Sequence, residues 1–421
     1  MCDTLCLLRE NGSIFAKNSD RPVSELQLLR SYPARPAGGV VDTQYLTIDD
    51  TGAVPVVVSQ PTWLWGAEHG VNAFHVAIGN EKVYGATDPY AAPPGLIGMD
   101  LVRLGLERGR TAQQAIDVMT ALLERYGQGG VADQTTKEPY WSSFLVVDPS
   151  GAWVLETCAR TWAAKRVSGA GAAISNRITI GKDWDRASVD VAHGSDFDVW
   201  RSADAPTGHA DKRLEASNAF LRSAAGRHTG RPGQPALAVS HLRDHGSGPW
   251  GVPGHPGEVS DPPTVLLADG TGVTICMHVR GFQATTSSMV AELSEDLDRP
   301  ARAWAAVGSP CASVYVPFVV PPASHREPAP VAGVVADLQV AQRFAGLRSE
   351  VEAIPSGLKR LRDGLDGLEA DLWSEADELA DGSGGEPAAW EKFGFRASVR
   401  TIEALDALGP GRGADQVRSA H

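Results

Sequence analysis

The sequence predicts a fold of the α+β class, and two observations lead to this prediction. Two β-rich segments at the start of the chain, 2–8 and 13–17, flank Asn11-Gly12, a strong short-range signal for a tight hairpin turn. Apolar residues at helical spacing recur in three later segments, 97–127, 211–225 and 331–381. Strands and helices therefore come in blocks, whereas a parallel sheet requires them to alternate.

The predicted hairpin also determines which residues lie near the start of the chain. A two-residue turn at 11–12 would place Cys2 opposite Arg21 in the returning strand. Successive side chains of a strand point to opposite faces, so Asp20 would lie on the other face from Cys2. A bulge in the loop-like stretch 18–22 would be needed to turn Asp20 towards Cys2.

The rest of the chain divides into further strands, helices and loops. Additional β-rich stretches lie at 44–48, 54–59, 74–79, 143–147, 152–156, 163–167, 172–175, 264–267 and 273–278. Segment 97–127 is expected to form two helices, with Thr111 as the N-cap of the second. Frequent Gly and Pro predict that 231–263 is mostly loop, and 321–330 is expected to be a linker.

Composition and charge indicate which classes of binding partner the protein is expected to have. Hydrophobic residues make up 43% and charged residues 21% of the 421 residues, which allows a large buried core. The net charge of −13 disfavours nucleic acid and anionic membranes as partners. No apolar run approaches the ~20 residues of a membrane span. Charged residues interrupt the N-terminal stretch CDTLCLLREN, so we expect no signal peptide and a cytoplasmic protein.

The five cysteines are widely spaced, and no CxxC pair is present. This pattern argues against a disulfide framework and against a zinc site built on thiolates. Four of the cysteines are interpreted as small buried apolar residues: Cys6, Cys158, Cys276 and Cys311. Cys2 differs because it directly follows the initiator methionine.

Cys2 becomes the first residue if Met1 is removed, as happens when the second side chain is small. The thiol then shares a residue with a free α-amine. Thiols with a pKa near ~8.5 and α-amines with a pKa of about 7.7–8.0 both titrate close to neutrality. The amine can therefore take the thiol proton and later protonate a leaving amine.

Residues that the sequence places near the chain start, or at strand ends, have types suited to this chemistry. Lys17 or Arg21 would favour a thiolate, and Asp20 would hold an α-ammonium. Asn80 and Asn176 each end an apolar strand and are candidate donors to an oxyanion. Simpler interpretations are a surface ion pair for the charged residues and turns for the asparagines.

Short motifs between residue 2 and about residue 320 resemble those of a known family. They are CDT at 2–4, KNSDRP at 17–22, SQPTWLWGAE at 59–68, IGNE at 78–81, GMDLVRLGLER at 98–108, YGQGG at 126–130, WVLET at 153–157, ISNR at 174–177, ICMH at 275–278 and TTSSMV at 285–290. In combination they resemble the secernins and the related cysteine dipeptidases, which are N-terminal-nucleophile hydrolases. The resemblance implies a four-layer αββα sandwich of two antiparallel sheets between helices, and hydrolysis of a dipeptide bond or another amide bond.

The resemblance also implies roles for residues of this sequence. The basic-Asn-x-Asp motif of the superfamily is matched by Lys17, Asn18 and Asp20, with lysine where arginine is usual. Catalytic roles are implied for Cys2, Lys17, Asp20, Asn80, Asn176 and Arg213. Residues within or beside the motifs are predicted to contact substrate: Asn18, Arg21, Trp65, Glu68, Ala73, Phe74, His75 and Glu81.

One segment departs from the family pattern. Secernins usually read GANEHGV before IGNE, whereas residues 70–76 here read GVNAFHV. Ala73, Phe74 and His75 therefore stand where glutamate, histidine and glycine are usual. If this segment lines the substrate cleft, a polar wall has become more apolar and the specificity is altered.

The resemblance divides the chain into a hydrolase domain at 1–320, the linker at 321–330, and a C-terminal helical extension with a flexible tail at 331–421. The extension is expected either to face a partner, with a homodimer as one alternative, or to form a solvated cap on its own subunit.

Other functions are weaker alternatives to a cysteine hydrolase. His241 and His245, at i, i+4 spacing, would suit a metal enzyme. Asp244 and His255 lie near them, but no HExxH motif is present. Ser247 lies in HGSGP and lacks the GxSxG elbow of a serine hydrolase. An acyltransferase would use the same thioester, and a catalytically silent member would be a binding or regulatory protein. No metal or cofactor is predicted, and the expected partner is a small amide or dipeptide substrate.

Overall fold

Two large antiparallel sheets, A and B, form the centre of the computed structural model, which describes residues 1–225, 233–246, 264–353, 357–382 and 386–409. The strands of sheet A are, in spatial order, β12 (Gly171–Ile174), β1 (Cys2–Arg9), β2 (Gly12–Pro22), β15 (Gln283–Leu293), β16 (Ala301–Val307) and β17 (Val316–Val320), with β14 (His278–Val279) paired to β15. Those of sheet B are β13 (Arg186–Ala187), β11 (Thr161–Arg166), β10 (Gly151–Cys158), β9 (Trp141–Asp148), β8 (Ala77–Val83), β7 (His69–Asn72), β6 (Val56–Pro61) and β3 (Gln27–Tyr32).

The helices and a small ribbon complete the described chain. The ribbon pairs β4 (Val40–Asp42) with β5 (Thr47–Asp49). The helices are α1 (Gly98–Arg108), α2 (Ala112–Tyr126), α3 (Gly208–Ala225), α4 (Gly233–Leu242), α5 (Gly333–Ala336), α6 (Leu338–Ala353), α7 (Gly357–Gly382) and α8 (Pro387–Leu408). None of these helices is long and apolar enough to cross a membrane.

Each sheet packs against helices on one face and against the other sheet on its opposite face, which gives four layers. Helices α1 and α2 pack on sheet B, α3 and α4 pack on sheet A, and β1 contacts β8 and β9 between the sheets. Strand β1 illustrates the alternation, since Leu5 and Leu7 face the helices of sheet A while Cys6 joins the cluster between the sheets. The molecule is thus a four-layer αββα sandwich of the α+β class, and the predicted fold is confirmed.

The turn of the β1–β2 hairpin lies one residue earlier than the sequence predicts. Arg9 pairs with Gly12, so the two loop residues are Glu10 and Asn11. Among these four residues only Gly12 has a positive φ, +122°. A type I′ turn at Asn11-Gly12 needs positive φ at both residues, whereas a glycine directly after a type I turn needs it only once.

The earlier turn shifts the strand register by two positions. Cys2 lies opposite Ser19, so the predicted pairing with Arg21 is wrong. The stretch 18–22 continues β2 as a strand and is not a loop. The irregularity beside Asp20 lies instead in the neighbouring strand β15, directly after its partner Thr285.

Elsewhere the predicted helices are confirmed and the predicted strands only in part. Thr111 caps α2 by accepting an N–H of the first turn at 3.1 Å. Segments 264–267 and 273–277 contain no strand. Helix α4 lies within 231–263, which the sequence predicts as mostly loop, and residues 247–263 lie outside the described residues.

The C-terminal helices pack against the end of sheet A. Helices α7 and α8 contact β17, and α6 contacts the 3-10 turn Pro310–Ala312. Phe344, Leu365 and Trp390 share one apolar cluster with Phe318 of β17. The extension therefore covers its own subunit. The division into domains stays a prediction, and 410–421 lies outside the described residues.

Candidate functional site

Cys2 opens β1, and neighbouring groups bind both its peptide nitrogen and its thiol. The peptide N–H donates to Asn176 Oδ1 at 2.8 Å, and the Asp20 N–H donates to Cys2 Sγ at 3.3 Å. Only 5% of Cys2 is exposed, and the preceding Met1 packs against Met277. The nitrogen that becomes the α-amine after loss of Met1 therefore already has a defined partner.

Asn176 reaches Cys2 because it lies just beyond β12. In the antiparallel pairing of β12 with β1, Ile174 lies opposite Thr4, so the chain two residues later runs alongside Cys2. The Asn176 amide nitrogen donates to Lys82 O at 2.9 Å. The amide thus links the start of sheet A to β8 of sheet B.

Arg213 enters the same place from α3. Its Nη1 donates to the carbonyl oxygen of Cys2 at 3.0 Å and to Asp3 Oδ2 at 2.5 Å. Its Nη2 donates to Asn176 Oδ1 at 2.7 Å. Burial lowers the pKa of Arg213, but the carboxylates of Asp3 and Asp20 outweigh it and the pKa lies above its ordinary value. The fold thus joins Arg213, Asn176 and Cys2 from three distant segments.

Lys17 and Glu81 form an ion pair between the two sheets. Lys17 Nζ lies 3.3 Å from Glu81 Oε1 and donates to Asn80 O at 2.6 Å, and neither charged side chain is exposed. The Thr4 hydroxyl also donates to Glu81 Oε1. Burial raises the pKa of Glu81 to about 8, although Lys17 opposes this.

The charge of Lys17 acts directly on the Cys2 thiol. Thr4 lies opposite Lys17 and Cys2 opposite Ser19, so Lys17 and Cys2 are diagonal neighbours on the same face. Burial raises the pKa of the Cys2 thiol to about 12, and Lys17 is the strongest influence that lowers it. In the chain that still carries Met1, the thiol is therefore protonated at neutral pH.

Asp20 lies beside the N-terminal nitrogen of the chain, and one of its two carboxylate oxygens accepts a hydrogen bond. The Thr285 hydroxyl donates to Asp20 Oδ1 at 2.6 Å, and Arg213 Nη1 lies 3.8 Å from Oδ2. Oδ2 is buried and has no hydrogen-bond partner. Burial raises the pKa of Asp20 to about 6, while the N-terminal ammonium and Arg213 lower it.

A second buried charge network surrounds Arg21. Its guanidinium binds Glu25 Oε2 through Nε at 2.9 Å, Glu68 Oε1 through Nη1 at 3.2 Å, and the Tyr140 hydroxyl at 3.0 Å. The Trp63 indole N–H donates to Glu25 Oε2 at 3.1 Å. The sequence predictions omit all three residues: Glu25 and Tyr140 stand in none of the family motifs, and of the two tryptophans of SQPTWLWGAE only Trp65 is predicted to contact substrate.

Asn80 is held by this network. Oriented to satisfy its neighbours, its amide nitrogen donates to Glu68 Oε2 at 3.0 Å and to Glu68 O at 2.9 Å. Both amide hydrogens are then engaged by Glu68. Asn176, whose amide nitrogen has one bond to Lys82, is therefore the better placed of the two candidate oxyanion donors.

One known protein family matches the middle of the chain. Residues 66–197 match the model of peptidase family C69. The matched stretch includes Glu68, Asn80, Glu81 and Asn176, and it confirms the resemblance seen in the sequence. The family is one of peptidases, and this partial match supports a hydrolase.

Solved structures that resemble the chain are distant in sequence. A conjugated bile acid hydrolase mutant from Clostridium perfringens is 10% identical, with 72% of this chain and 88% of that chain covered and a TM-score of 0.42. Penicillin V acylase from Agrobacterium tumefaciens is 11% identical, with 76% and 86% covered and a TM-score of 0.38. An N-acylethanolamine-hydrolyzing acid amidase ortholog from Caenorhabditis elegans is 10% identical, with 56% and 84% covered and a TM-score of 0.34.

Trp65, a predicted substrate contact, packs on the helix-facing side of sheet B. Trp65 stacks on Arg103 of α1, 4.2 Å from guanidinium carbon to ring centroid, and packs in the cluster between sheet B and its helices. The substrate contact predicted for Trp65 stays a prediction, and Trp63, in the same turn after β6, is the tryptophan that joins the buried charges.

The altered segment with Ala73, Phe74 and His75 forms the turn between β7 and β8, at the far end of the sheets. His75 binds the carbonyl oxygen of Ser294 through Nδ1 at 2.8 Å, directly after the end of β15. That end pairs with Ser13, about 20 Å along β2 from Ser19 at ~3.3 Å per residue. This turn after β7 is therefore a strand's length away from Cys2, and the substrate contact of the segment stays a prediction.

The Asn18 side chain is fully buried and does not face solvent. Its amide nitrogen donates to Leu242 O and Ile275 O, both at 2.8 Å, and its oxygen accepts from Ser288 at 2.6 Å. The motif residue between Lys17 and Asp20 thus ties β2 to the end of α4 and to the segment before β14. Both amide ends are thus engaged within the protein, and the substrate contact of Asn18 stays a prediction.

Two of the cysteines interpreted as apolar lie in a polar cluster. The ligand atoms of His245, Cys276, His278 and Cys311 all lie within 4.8 Å of one another, and all four residues are buried. His241, which the sequence pairs with His245, stacks on Phe220 instead. His255 and Ser247 lie outside the described residues.

Proposed function

We propose that Cys2, after removal of Met1, is the nucleophile of an amide hydrolase and that its own α-amine is the base. The bond would be an amide or dipeptide bond of a small amino-acid-derived substrate. One observation carries the proposal. The Cys2 nitrogen is bound by Asn176 at 2.8 Å while the thiol of the same residue accepts an N–H from Asp20, so both reactive groups are oriented in a buried site.

The proposed reaction proceeds through a thioester. The amine takes the thiol proton, and Sγ attacks the substrate carbonyl carbon to form a tetrahedral oxyanion. As the C–N bond breaks, the ammonium gives its proton to the leaving amine. The amine then takes a proton from water, hydroxide attacks the thioester, and the thiolate leaves and is protonated, which releases the acid.

The charged neighbours have separate proposed roles. Lys17 lowers the pKa of the thiol, and the Asp20 carboxylate, whose Oδ2 has no hydrogen-bond partner, would bind the Cys2 α-ammonium that forms during the reaction. Asn176 supplies a donor for the oxyanion, and Arg213 fixes Asn176 and the Cys2 carbonyl. Asn80 would join as a second donor only by releasing Glu68.

The surroundings of Met1 support a class of substrate. Its side chain packs against Val273, Met277 and Val279, and only 8% of the residue is exposed. Loss of Met1 would open this apolar space directly beside the new amine. We therefore propose that the substrate carries an apolar group next to the cleaved bond.

The test uses a mixed library of dipeptides and N-acyl amino acids, with released acids and amines measured by mass spectrometry. Wild-type protein is expected to cleave a subset with apolar groups, Cys2→Ser to be slower by orders of magnitude, and Cys2→Ala to be inactive. Cys6→Ala is the matched control, since Cys6 lies on the same strand and is fully buried. Undiminished turnover by Cys2→Ala would sink the mechanism.

A rapid quench during turnover separates hydrolysis from acyl transfer. The N-terminal peptide is expected to carry the acyl group on Cys2. With an added acceptor amine, a hydrolase still yields mainly the free acid, whereas a transferase yields the new amide.

A further inference from the structure

We propose that His245, Cys276, His278 and Cys311 bind a structural zinc ion. The four side chains are buried, and their ligand atoms lie within 4.8 Å of one another. Two cysteines and two histidines are a common ligand set of structural zinc sites. This inference does not depend on the proposed hydrolysis.

The distances within the cluster fit a tetrahedral ion. Zinc lies about 2.3 Å from a thiolate and about 2.0–2.1 Å from an imidazole nitrogen, so sulfur and nitrogen at a tetrahedral angle are about 3.5 Å apart. Cys276 Sγ lies 3.5 Å from His278 Nε2, and Cys311 Sγ lies 3.3 Å from the same nitrogen. One ion can therefore touch His278 and both sulfurs without rearrangement of the backbone.

A carboxylate orients one of the histidines. Glu352 Oε1 of α6 lies 2.9 Å from His278 Nδ1, and Arg348 Nε lies 3.4 Å from the same carboxylate oxygen. A metal-binding histidine usually donates its other N–H to a carboxylate or carbonyl group, which fixes the ring and its tautomer. This arrangement directs His278 Nε2 towards the two sulfurs.

Charge also favours a divalent ion at this place. Two thiolates and Zn²⁺ form a neutral group, whereas unpaired thiolates in a buried site are costly. With four protein ligands no coordination position is left for water, which is typical of structural sites and not of catalytic ones.

The site would fix a wall of the nucleophile region. Asn18 binds the carbonyl groups of Leu242 and Ile275, which lie just before His245 and Cys276 in the chain. Between the ligands Cys276 and His278, the Met277 N–H donates to the Thr285 hydroxyl at 3.0 Å, which in turn donates to Asp20. Zinc would thus hold in place the segment that supports Asp20 and contacts Met1.

The test is the metal content of full-length protein, produced with zinc in the medium and purified without chelators or metal-affinity resin. Inductively coupled plasma mass spectrometry is expected to find one zinc per chain. Cys276→Ser and Cys311→Ser are each expected to lose it. Cys158→Ser is the matched control, because Cys158 is also a buried free thiol but lies in β10, and it is expected to retain zinc.

A second measurement on the wild-type chain decides the question even if the variants do not fold. Cobalt exchanged into the protein is expected to give the visible bands of a tetrahedral ion and thiolate charge-transfer absorption, and zinc is expected to displace it. Wild-type protein with no metal above the buffer blank after dialysis against zinc would overturn the proposal. So would a disulfide between Cys276 and Cys311 in the protein as purified.

Discussion

At Cys2, burial and charge act on the thiol in opposite directions. Burial raises its pKa to about 12, Lys17 lowers it, and Glu81 and Glu68 raise it. A reactive thiol at neutral pH therefore depends on nearby positive charge, which the α-amine would add when Met1 is lost.

Changes in the Lys17–Glu81 pair are expected to shift the pKa of Cys2 in opposite directions. Lys17→Met removes a positive neighbour and raises the pKa, whereas Glu81→Gln removes a negative one and lowers it. The pH dependence of Cys2 alkylation, followed by peptide mass spectrometry, measures both shifts. Lys82→Met is the control, since its ammonium pairs with Glu138, and an equal shift in Lys82→Met would contradict the assignment.

Asp20 is expected to set a titration near pH 6. Burial raises its pKa to about 6, so activity that needs the carboxylate falls as the pH drops through that value. Asp20→Asn should move the acid limb of the kcat/KM profile. Because the folded pKa is raised, protonated Asp20 stabilises the fold at low pH, and this stability is lost as the pH rises through about 6. An unmoved acid limb in Asp20→Asn would mean that Asp20 is only structural.

The sequence was enough to select candidate residues near the chain start, but not to predict which side chains they contact. Position and motif identify Cys2, Lys17 and Asn176, since few residue types can act as nucleophile, cation or oxyanion donor. Trp63 could not be distinguished from Trp65, because both lie in the turn after β6, where no strand alternation determines the direction of a side chain.

At the level of the elements, β8 shows how a small residue makes room for the site. A Cβ on Gly79 would lie 2.6 Å from Lys17 Cδ and 3.0 Å from Thr4 Oγ1. The absence of a side chain at this position lets the Lys17 stem cross to Glu81.

Gly79→Ala is therefore expected to destabilise the protein by about 1–3 kcal/mol, the usual cost of overpacking. Gly151→Ala in the same sheet is the control, since a Cβ there meets nothing within 4 Å, and it should be neutral or slightly stabilising. Urea unfolding measures both free energies. Equal effects of the two changes would show that the contact with Lys17 does not matter.

Two of the missed strands have mixed composition. Strand β15 contains the polar run TTSS inside the protein, and β16 reads ARAWAAV, in which alanine favours a helix. Both are held by neighbouring strands on either side, which local sequence does not reveal. The helices α1 and α2, whose cap and periodicity are local, were predicted correctly.

On the scale of the whole molecule, the C-terminal helices are joined to the sandwich by charge as well as apolar packing. Arg243, just after α4, binds both oxygens of Glu369 in α7, at 2.8 and 2.6 Å. The Tyr315 N–H donates to the same carboxylate at 2.7 Å. The sequence alone does not distinguish a partner-facing extension from a cap on the same subunit, since both expose one polar helix face.

Glu369→Gln is expected to lower the free energy of unfolding by about 3 kcal/mol, because the mostly buried Arg243 loses the carboxylate of its ion pair and keeps only backbone carbonyl acceptors. Glu375→Gln, which breaks a more exposed pair with Arg396, should cost about 1 kcal/mol or less. Thermal and urea unfolding provide the comparison. Equal losses would contradict a specific tie between α7 and the sandwich.

The N-terminus of the purified protein tests the central claim most directly. The mechanism needs a free α-amine on Cys2, so intact-mass measurement and N-terminal peptide mapping are expected to find chains that begin at Cys2. Retention of Met1 on most molecules of an active preparation would contradict the mechanism, because the Cys2 nitrogen would then be a peptide nitrogen without a basic lone pair.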